Sequence, residues 1–231
     1  MKISVKLNIL DHINQIYDDF IRSYNLACDR LCAHCCTRNV TMTTMEGYRV
    51  VKYLESSNKT ALLKGIKADA KKLRYTPLIT TNQLAQMGYE GKEIPDEAVD
   101  EAVEKCPVLE NDECPIYEAR PFGCRCLVSK YNCEANGYAE TDPFVVTVNN
   151  IFFQFIEHID EGGFFGNLTD VLLFLETNKT LSDDKADAIK HPKSDLLKNH
   201  PLSVLLIPPE HSEQIKPILE SLQNIKVPKE F

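Results

Sequence analysis

Cysteine is the residue type of this sequence whose number and spacing are best suited to chemistry. The chain of 231 residues contains nine cysteines, which fall in two separate segments. Cysteine thiolates bind zinc and iron–sulfur clusters, and two residues between ligands allow one tight turn to direct both sulfurs at the same metal. In the first segment four of the nine residues from 28 to 36 are cysteines. We therefore predict a metal site with the following ligands: Cys28, Cys32, Cys35, Cys36, Cys106, Cys114, Cys124 and Cys126.

The second segment, residues 106–136, contains the other five cysteines and is interrupted by proline and glycine. Such a composition allows no more than a turn or two of helix, so this loop needs a further group to organise it. Two of its cysteines precede proline, as Cys106-Pro107 and Cys114-Pro115. Proline after a ligand removes a backbone donor and ends a helix there, as in the bacterial ferredoxins. Cys126 and Cys133 belong to no motif, and for them an ordinary buried thiol is the alternative.

Metal ligation accounts for these cysteines better than disulfide bonds do. Lys6, Asn8 and Asp11 interrupt the first residues of the chain, which therefore lack the continuous apolar core of a signal peptide. The apolar runs elsewhere are far shorter than the ~20 residues that span a bilayer. We accordingly expect a cytoplasmic protein, and thiols stay reduced in the cytoplasm. An odd number of cysteines also cannot be fully paired within one chain.

Several short motifs occur in a recognisable order. They are the segment ending in Cys35-Cys36, then Cys106-Pro-Val-Leu, Cys114-Pro-Ile-Tyr and Arg120-Pro-Phe-Gly-Cys-Arg. This order resembles the CxxCxxCC cysteine-cluster family, which is described as a zinc- or iron-chelating domain and includes relatives that are flagellin lysine N-methylases. The resemblance covers residues 28–126, with one departure, because three residues separate Cys28 from Cys32 where the family has two. It implies that the metal ligands are Cys28, Cys32, Cys35, Cys36, Cys106, Cys114 and Cys124.

The departure makes the spacing from Cys28 to Cys35 similar to that of radical S-adenosylmethionine enzymes, which hold a four-iron cluster. This similarity implies S-adenosylmethionine as a further cofactor. In those enzymes, however, the motif follows the first strand of a barrel of alternating strands and helices. A helical pattern precedes Cys28, and no such alternation is present, which argues against that fold. Between zinc and iron–sulfur, the number of cysteines and the Cys-Pro pairs favour iron–sulfur slightly.

Two arginines and a histidine lie close to the cysteines in the sequence. Arg120 and Arg125 flank Cys124, where they can donate hydrogen bonds to sulfur or bind an anionic cofactor or substrate. The alternative for both is a salt bridge to the acidic loops. His34 lies within the first segment, where it can bind metal, donate a hydrogen bond to a sulfur or face solvent. Only the two arginines are predicted as cofactor-binding residues.

Apolar spacing and capping signals predict a mainly α fold, namely an irregular helical domain organised around the cysteine-ligated metal site. A domain of residues 1–178 is expected to carry a C-terminal appendage of residues 179–231. The appendage is predicted to contain a short strand at 203–207 and a final helix interrupted by Pro217. Five other helices are predicted at 8–25, directly after the Thr43–Glu46 capping box, at 60–73, at 143–159 and at 168–177. Two shorter helical pieces are predicted, one near Gln83 and an acidic one after Pro95.

The formal charge of −8 and the pI of about 5.3 argue against nucleic-acid and anionic-membrane partners, both of which favour a basic surface. The expected partner is a metal ion or cluster, together with a protein substrate if the methylase resemblance extends to activity. The first hypothesis is therefore a cysteine-cluster metal protein with a redox or methylase-like role. The alternatives are a structural, zinc-stapled scaffold without catalysis and a protein of metal storage or delivery. The sequence does not decide whether the protein is an enzyme.

Overall fold

The computed structural model describes residues 1–96, 104–178 and 195–225, and in these ranges the chain is mainly α-helical, as predicted. None of the described helices is both long and apolar enough to cross a membrane. Two 3-10 turns occur at Tyr117–Ala119 and Pro209–His211. The described residues form these nine α-helices: α1 (Ile3–Ile21), α2 (Thr44–Ser56), α3 (Leu62–Ala68), α4 (Thr81–Tyr89), α5 (Phe122–Arg125), α6 (Cys133–Asn136), α7 (Pro143–Ile159), α8 (Leu168–Thr177) and α9 (Lys216–Gln223).

The longest helices, α1 and α7, pack against each other through the apolar stripes that predicted them. Tyr17 of α1 is fully buried, and its ring meets the ring of Phe152 in α7 edge-on at a centroid distance of 5.2 Å. Phe122 of α5 joins the same cluster, 4.8 Å from the ring of Tyr17. Edge-on aromatic pairs of this kind stabilise the fold by more than the burial of their apolar surface alone. The short helix that contains Cys124 is thereby anchored in the main core, the buried cluster built around Tyr17, Phe122 and Phe152.

Local capping signals determine where several helices begin. The predicted capping box is present at the start of α2, where the Thr43 side chain and Glu46 exchange hydrogen bonds. Asp142 caps α7, and Pro143 occupies its first turn. Asn167 caps α8, which has the predicted bounds of Leu168–Thr177. The side chains that cap these three helices are therefore local in sequence, which is why the sequence predicts these starts.

A small antiparallel sheet was not predicted. It consists of β1 (Thr41–Thr43), β2 (Phe164–Asn167) and β3 (Leu197–Lys198) in the order β1-β2-β3. Strands this short cannot show a two-residue apolar period. The predicted strand at 203–207 is wrong, since these residues form no strand. Leu205 and Ile207 instead pack on the main core from an irregular segment, which explains why this run is apolar.

Other predicted elements differ in extent. The helix expected at 60–73 is confined to α3 (Leu62–Ala68), and Pro217 lies in the first turn of α9 instead of interrupting it. Residues 97–103, most of the acidic helical piece expected after Pro95, lie outside the described residues. The described part of the predicted appendage, residues 195–225, contributes β3 to the sheet and Ile215 and Leu222 to the main core.

Candidate metal centre

The two cysteine segments meet at one cavity of about 210 Å³. The first segment lies in the loops between α1 and β1, and the second begins at residue 106 and includes α5. Seven of the eight predicted ligands line this cavity, although residues 36 and 106 are far apart in the sequence. The seven are Cys28, Cys32, Cys35 and Cys36 from the first segment, and Cys106, Cys114 and Cys124 from the second.

Backbone hydrogen bonds hold the two segments together. The Cys106 N–H donates to the carbonyl oxygen of Cys36 at 2.8 Å, and Thr37 forms an isolated antiparallel bridge with Lys105. On the opposite side of the first segment, the Ala27 N–H donates to the carbonyl oxygen of Ser129 at 2.9 Å. Main-chain contacts therefore set the separation of the two segments.

Three of the lining sulfurs lie next to backbone N–H groups. The Ser129 N–H donates to Cys28 Sγ at 3.3 Å. In each Cys-Pro pair, the N–H two residues after the cysteine, that of Val108 or of Ile116, lowers the pKa of the thiol and partly offsets the larger effect of burial. Hydrogen bonds of this kind stabilise thiolate charge and tune the metal that the thiolate binds. The Cys-Pro turns therefore present their sulfurs in a form suited to metal ligation.

The thiols of the second segment are deeply placed. Burial raises the pKa of Cys106 to about 11. Burial, together with the neighbouring thiols of Cys106 and Cys114, raises the pKa of Cys124 well above its usual value. A hydrogen bond with Cys36 raises the pKa of Cys35, so these adjacent thiols meet, although the sequence suggests that they start in different directions. A metal must therefore displace protons in order to bind these cysteines.

Three other residues considered as ligands lie away from the cavity. Cys126 is buried in the main core, where its thiol donates to the carbonyl oxygen of Gly123 at 3.7 Å, and it does not line the cavity. Cys133 begins α6, also outside the cavity lining. His34 is exposed and lines an adjoining groove of about 580 Å³ together with Cys32 and Cys36. The structure thus separates Cys126 from the other predicted ligands.

Arg120 and Arg125 both line the cavity but have different partners. Arg125 is buried and donates from Nη1 to both carboxylate oxygens of Asp18, at 2.7 Å each. This is the predicted salt-bridge alternative, although the acid belongs to α1 instead of an acidic loop. The Arg120 guanidinium lies 3.8 Å from the ring centroid of Tyr117 and donates from Nη1 to the Tyr117 carbonyl oxygen at 2.8 Å. Desolvation by burial lowers the pKa of Arg120.

Two residues that the sequence analysis did not connect with the site support it. Arg30 also lines the cavity, and its guanidinium is 5.3 Å from the Tyr117 ring centroid. Glu46 accepts a hydrogen bond from the Phe122 N–H at 2.7 Å and one from the Thr43 N–H at 2.8 Å. The capping box identifies Glu46 from the sequence, but no sequence signal indicates its bond to the turn that precedes Cys124.

Gly123 allows that turn to approach β1 closely. A Cβ atom at this position would lie 2.7 Å from the carbonyl oxygen of Thr41. We expect Gly123→Ala to lower the free energy of unfolding by about 1–3 kcal/mol, the usual cost of overpacking, and to displace Cys124. Urea unfolding measures the loss. Gly65→Ala is the control, because no atom lies within 4 Å of its added Cβ and alanine stabilises a helix interior by about 0.5–1 kcal/mol. Equal stability of the two variants would contradict the clash.

Within the described ranges, no three His, Cys, Asp or Glu side chains lie close enough together to hold a single metal ion. The cysteines surround the cavity instead of converging on one point. Comparisons of the chain with protein-family models, with curated proteins and with solved structures give no match.

Proposed function

We propose that this protein binds an iron–sulfur cluster through cysteines of both segments. One observation carries the proposal, namely that seven cysteines from two distant parts of the chain line the same cavity. The proposed ligands come from these seven and leave out Cys126, which is buried in the main core.

The donor set fits such a cluster. Iron–sulfur clusters are held mainly by cysteine thiolates, and hydrogen bonds to their sulfurs set their reduction potentials. Cys28, Cys106 and Cys114 have backbone N–H donors of this kind. Burial raises the pKa of Cys114, and the positive charges of Arg120 and Arg30 partly offset this rise. The backbone donors and the positive charges both favour the thiolate form that a metal requires.

The arrangement of the sulfurs favours a cluster over a single zinc ion. A tetrahedral zinc site needs four ligand atoms at about 2–2.3 Å from one point. A cluster with several irons accepts sulfurs that are farther apart, which suits thiols placed around a cavity of about 210 Å³. Rotation about the Cα–Cβ bond moves each sulfur between staggered positions without a change in the backbone. The backbone hydrogen bonds between the segments are therefore compatible with cluster binding.

A bound iron–sulfur cluster would supply one-electron chemistry at this cavity. The chain itself would contribute the thiolates, the backbone donors and the cations of the lining. The methylase-like role remains a proposal that depends on the sequence resemblance, with S-adenosylmethionine as the further cofactor that the resemblance implies. A scaffold role with closed zinc sites requires no adjacent cavity, so the cavity favours the cluster hypothesis.

Metal analysis of anaerobically purified protein tests the proposal. We expect iron and acid-labile sulfide in comparable amounts and a broad visible absorption from sulfur-to-iron charge transfer. A dithionite titration should bleach this absorption if the cluster is redox active. Colourless protein with stoichiometric zinc would overturn the proposal and support the scaffold alternative. Protein that takes up neither iron, after anaerobic reconstitution with iron and sulfide, nor added zinc would overturn both.

A further inference from the structure

Arg120 is a cation without an acidic partner in the part of the chain that the structure describes. Its Nη1 donates to the Tyr117 carbonyl oxygen, and no described residue accepts a hydrogen bond from its Nε or Nη2 or forms an ion pair with it. The other cavity arginines are paired, Arg125 with Asp18 and Arg30 with two glutamates, Glu113 at 3.5 Å and Glu118 at 3.4 Å.

This arrangement is costly unless something compensates it. Arg120 is only partly exposed, and a guanidinium that loses part of its hydration without gaining an acceptor raises the free energy of the folded state. Stacking on Tyr117 recovers part of this cost and holds the guanidinium plane in one orientation. The remaining N–H groups are therefore preorganised for an acceptor that enters the cavity.

The charges of the lining indicate which anion suits Arg120. With Arg30 and Arg125 already paired, Arg120 is the one described arginine of the cavity that forms no ion pair with a carboxylate. Asp18, Asp29 and Asp112 also line it, so a second negative charge on a ligand would meet repulsion. A guanidinium edge with two N–H groups matches the two oxygens of a carboxylate. A monocarboxylate therefore suits the site better than a phosphate dianion.

The apolar part of the lining suits an aliphatic body attached to that carboxylate. It comes from the second cysteine segment and from residues on either side of the first. Its members are Leu26, Val40, Val108, Leu109, Leu127 and Val128. Binding sites for small molecules commonly combine such an apolar wall with a few polar groups that orient the ligand.

We propose that Arg120 anchors the carboxylate of a small aliphatic monocarboxylate in this cavity. The proposal deepens the proposed function and rests on it for the neighbouring metal, because this ligand would lie beside the cysteine-bound cluster. Arg125 differs because Asp18 balances its charge by accepting two hydrogen bonds from its Nη1, although its buried Nε has no hydrogen-bond partner among the described residues.

Ligand-observed saturation-transfer NMR with butyrate tests the anchor on protein as isolated under anaerobic conditions. Butyramide, the neutral counterpart, should bind the parent at least about tenfold more weakly than butyrate does, because hydrogen bonds between charged groups are lost. For the same reason, butyrate should bind Arg120→Met at least about tenfold more weakly than it binds the parent. Arg120→Lys should weaken butyrate binding severalfold, since lysine keeps the charge but lacks the planar fork. Arg22→Met controls for net charge, because Arg22 is exposed at the end of α1, and it should bind butyrate like the parent.

Metal content, measured on each sample, separates this proposal from the proposed function. Parent protein without metal that still binds butyrate through Arg120 would support the anchor and contradict the cluster. Metal-containing parent protein that shows no saturation transfer to butyrate would overturn the anchor alone. Loss of metal from Arg120→Met, together with equal binding of butyrate and butyramide by the parent, would show that Arg120 only compensates thiolate charge. Displacement of butyrate by inorganic phosphate at lower concentration than by acetate would overturn the assignment to a monocarboxylate.

Discussion

Cys114→Ser protein is expected to purify with less than about a tenth of the parent's metal and to unfold at a lower temperature. Serine keeps the size of the side chain but is a poor ligand for iron and zinc, which bind thiolates in such sites. A metal that binds only the folded chain at a thousandfold excess over its Kd contributes about 4 kcal/mol to stability. For a chain of this size, that loss corresponds to roughly 8–16 °C in melting temperature. Cys32→Ser should behave alike, because Cys32 lines the same cavity from the first segment.

Elemental analysis and differential scanning calorimetry on the same anaerobic preparations measure both effects. Cys133→Ser is the matched control, since Cys133 does not line the cavity, and it should keep the parent's metal and melting temperature. Cys126→Ala should keep the metal even though it removes a core side chain. If Cys114→Ser and Cys32→Ser both retained full metal content, the shared site would not exist. Metal loss from Cys126→Ala would restore Cys126 to the ligand set.

The second large effect is expected at Asp160, whose side chain joins three parts of the fold. Its carboxylate accepts hydrogen bonds from Thr44 Oγ1 at 2.7 Å, the Met45 N–H at 3.0 Å and Asn199 Nδ2 at 3.0 Å. It also forms an ion pair with Lys6 at 3.1 Å. Asp160→Ala removes the counter-charge of a largely buried ammonium and the acceptor of the Thr44 hydroxyl and the Met45 N–H, and leaves Lys6 Nζ with only the Glu161 carbonyl oxygen as an acceptor. We expect a loss of about 3–5 kcal/mol in the free energy of unfolding, the usual cost of breaking a buried pair from one side.

Urea unfolding should show this loss as a lower midpoint with an unchanged slope. Asp19→Ala is the control, because Asp19 forms an exposed ion pair with Arg22, and such pairs contribute about 0–1 kcal/mol. A loss for Asp160→Ala no larger than that of the control would mean that water replaces the carboxylate at no cost. The cysteine cavity should be less affected, since Asp160 is not among its lining residues.

The helices show how far local signals determine the fold. The start of α2 at the Thr43–Glu46 box and the bounds of α8 could be predicted because the residues responsible are adjacent in sequence. The sheet could not, since each strand is two to four residues long and its register depends on partners far along the chain, such as Thr41 opposite Asn167. The short apolar run at 203–207 was misleading, because burial against a core and pairing in a sheet leave similar patterns.

The sequence by itself determined which donor atoms the candidate site offers, because residue type alone makes cysteine a metal ligand once its thiol is deprotonated. The Cys-Pro pairs likewise carry their own geometry, since the N–H that reaches each sulfur is only two residues away. Only the tertiary structure separated Cys126, which packs in the main core, from the cysteines that line the cavity. It also distinguished Arg125 from Arg120, because the partner that decides their charge balance, Asp18, comes from a different helix. Burial and long-range pairing depend on how the helices pack, and neither can be derived from the spacing of nearby residues.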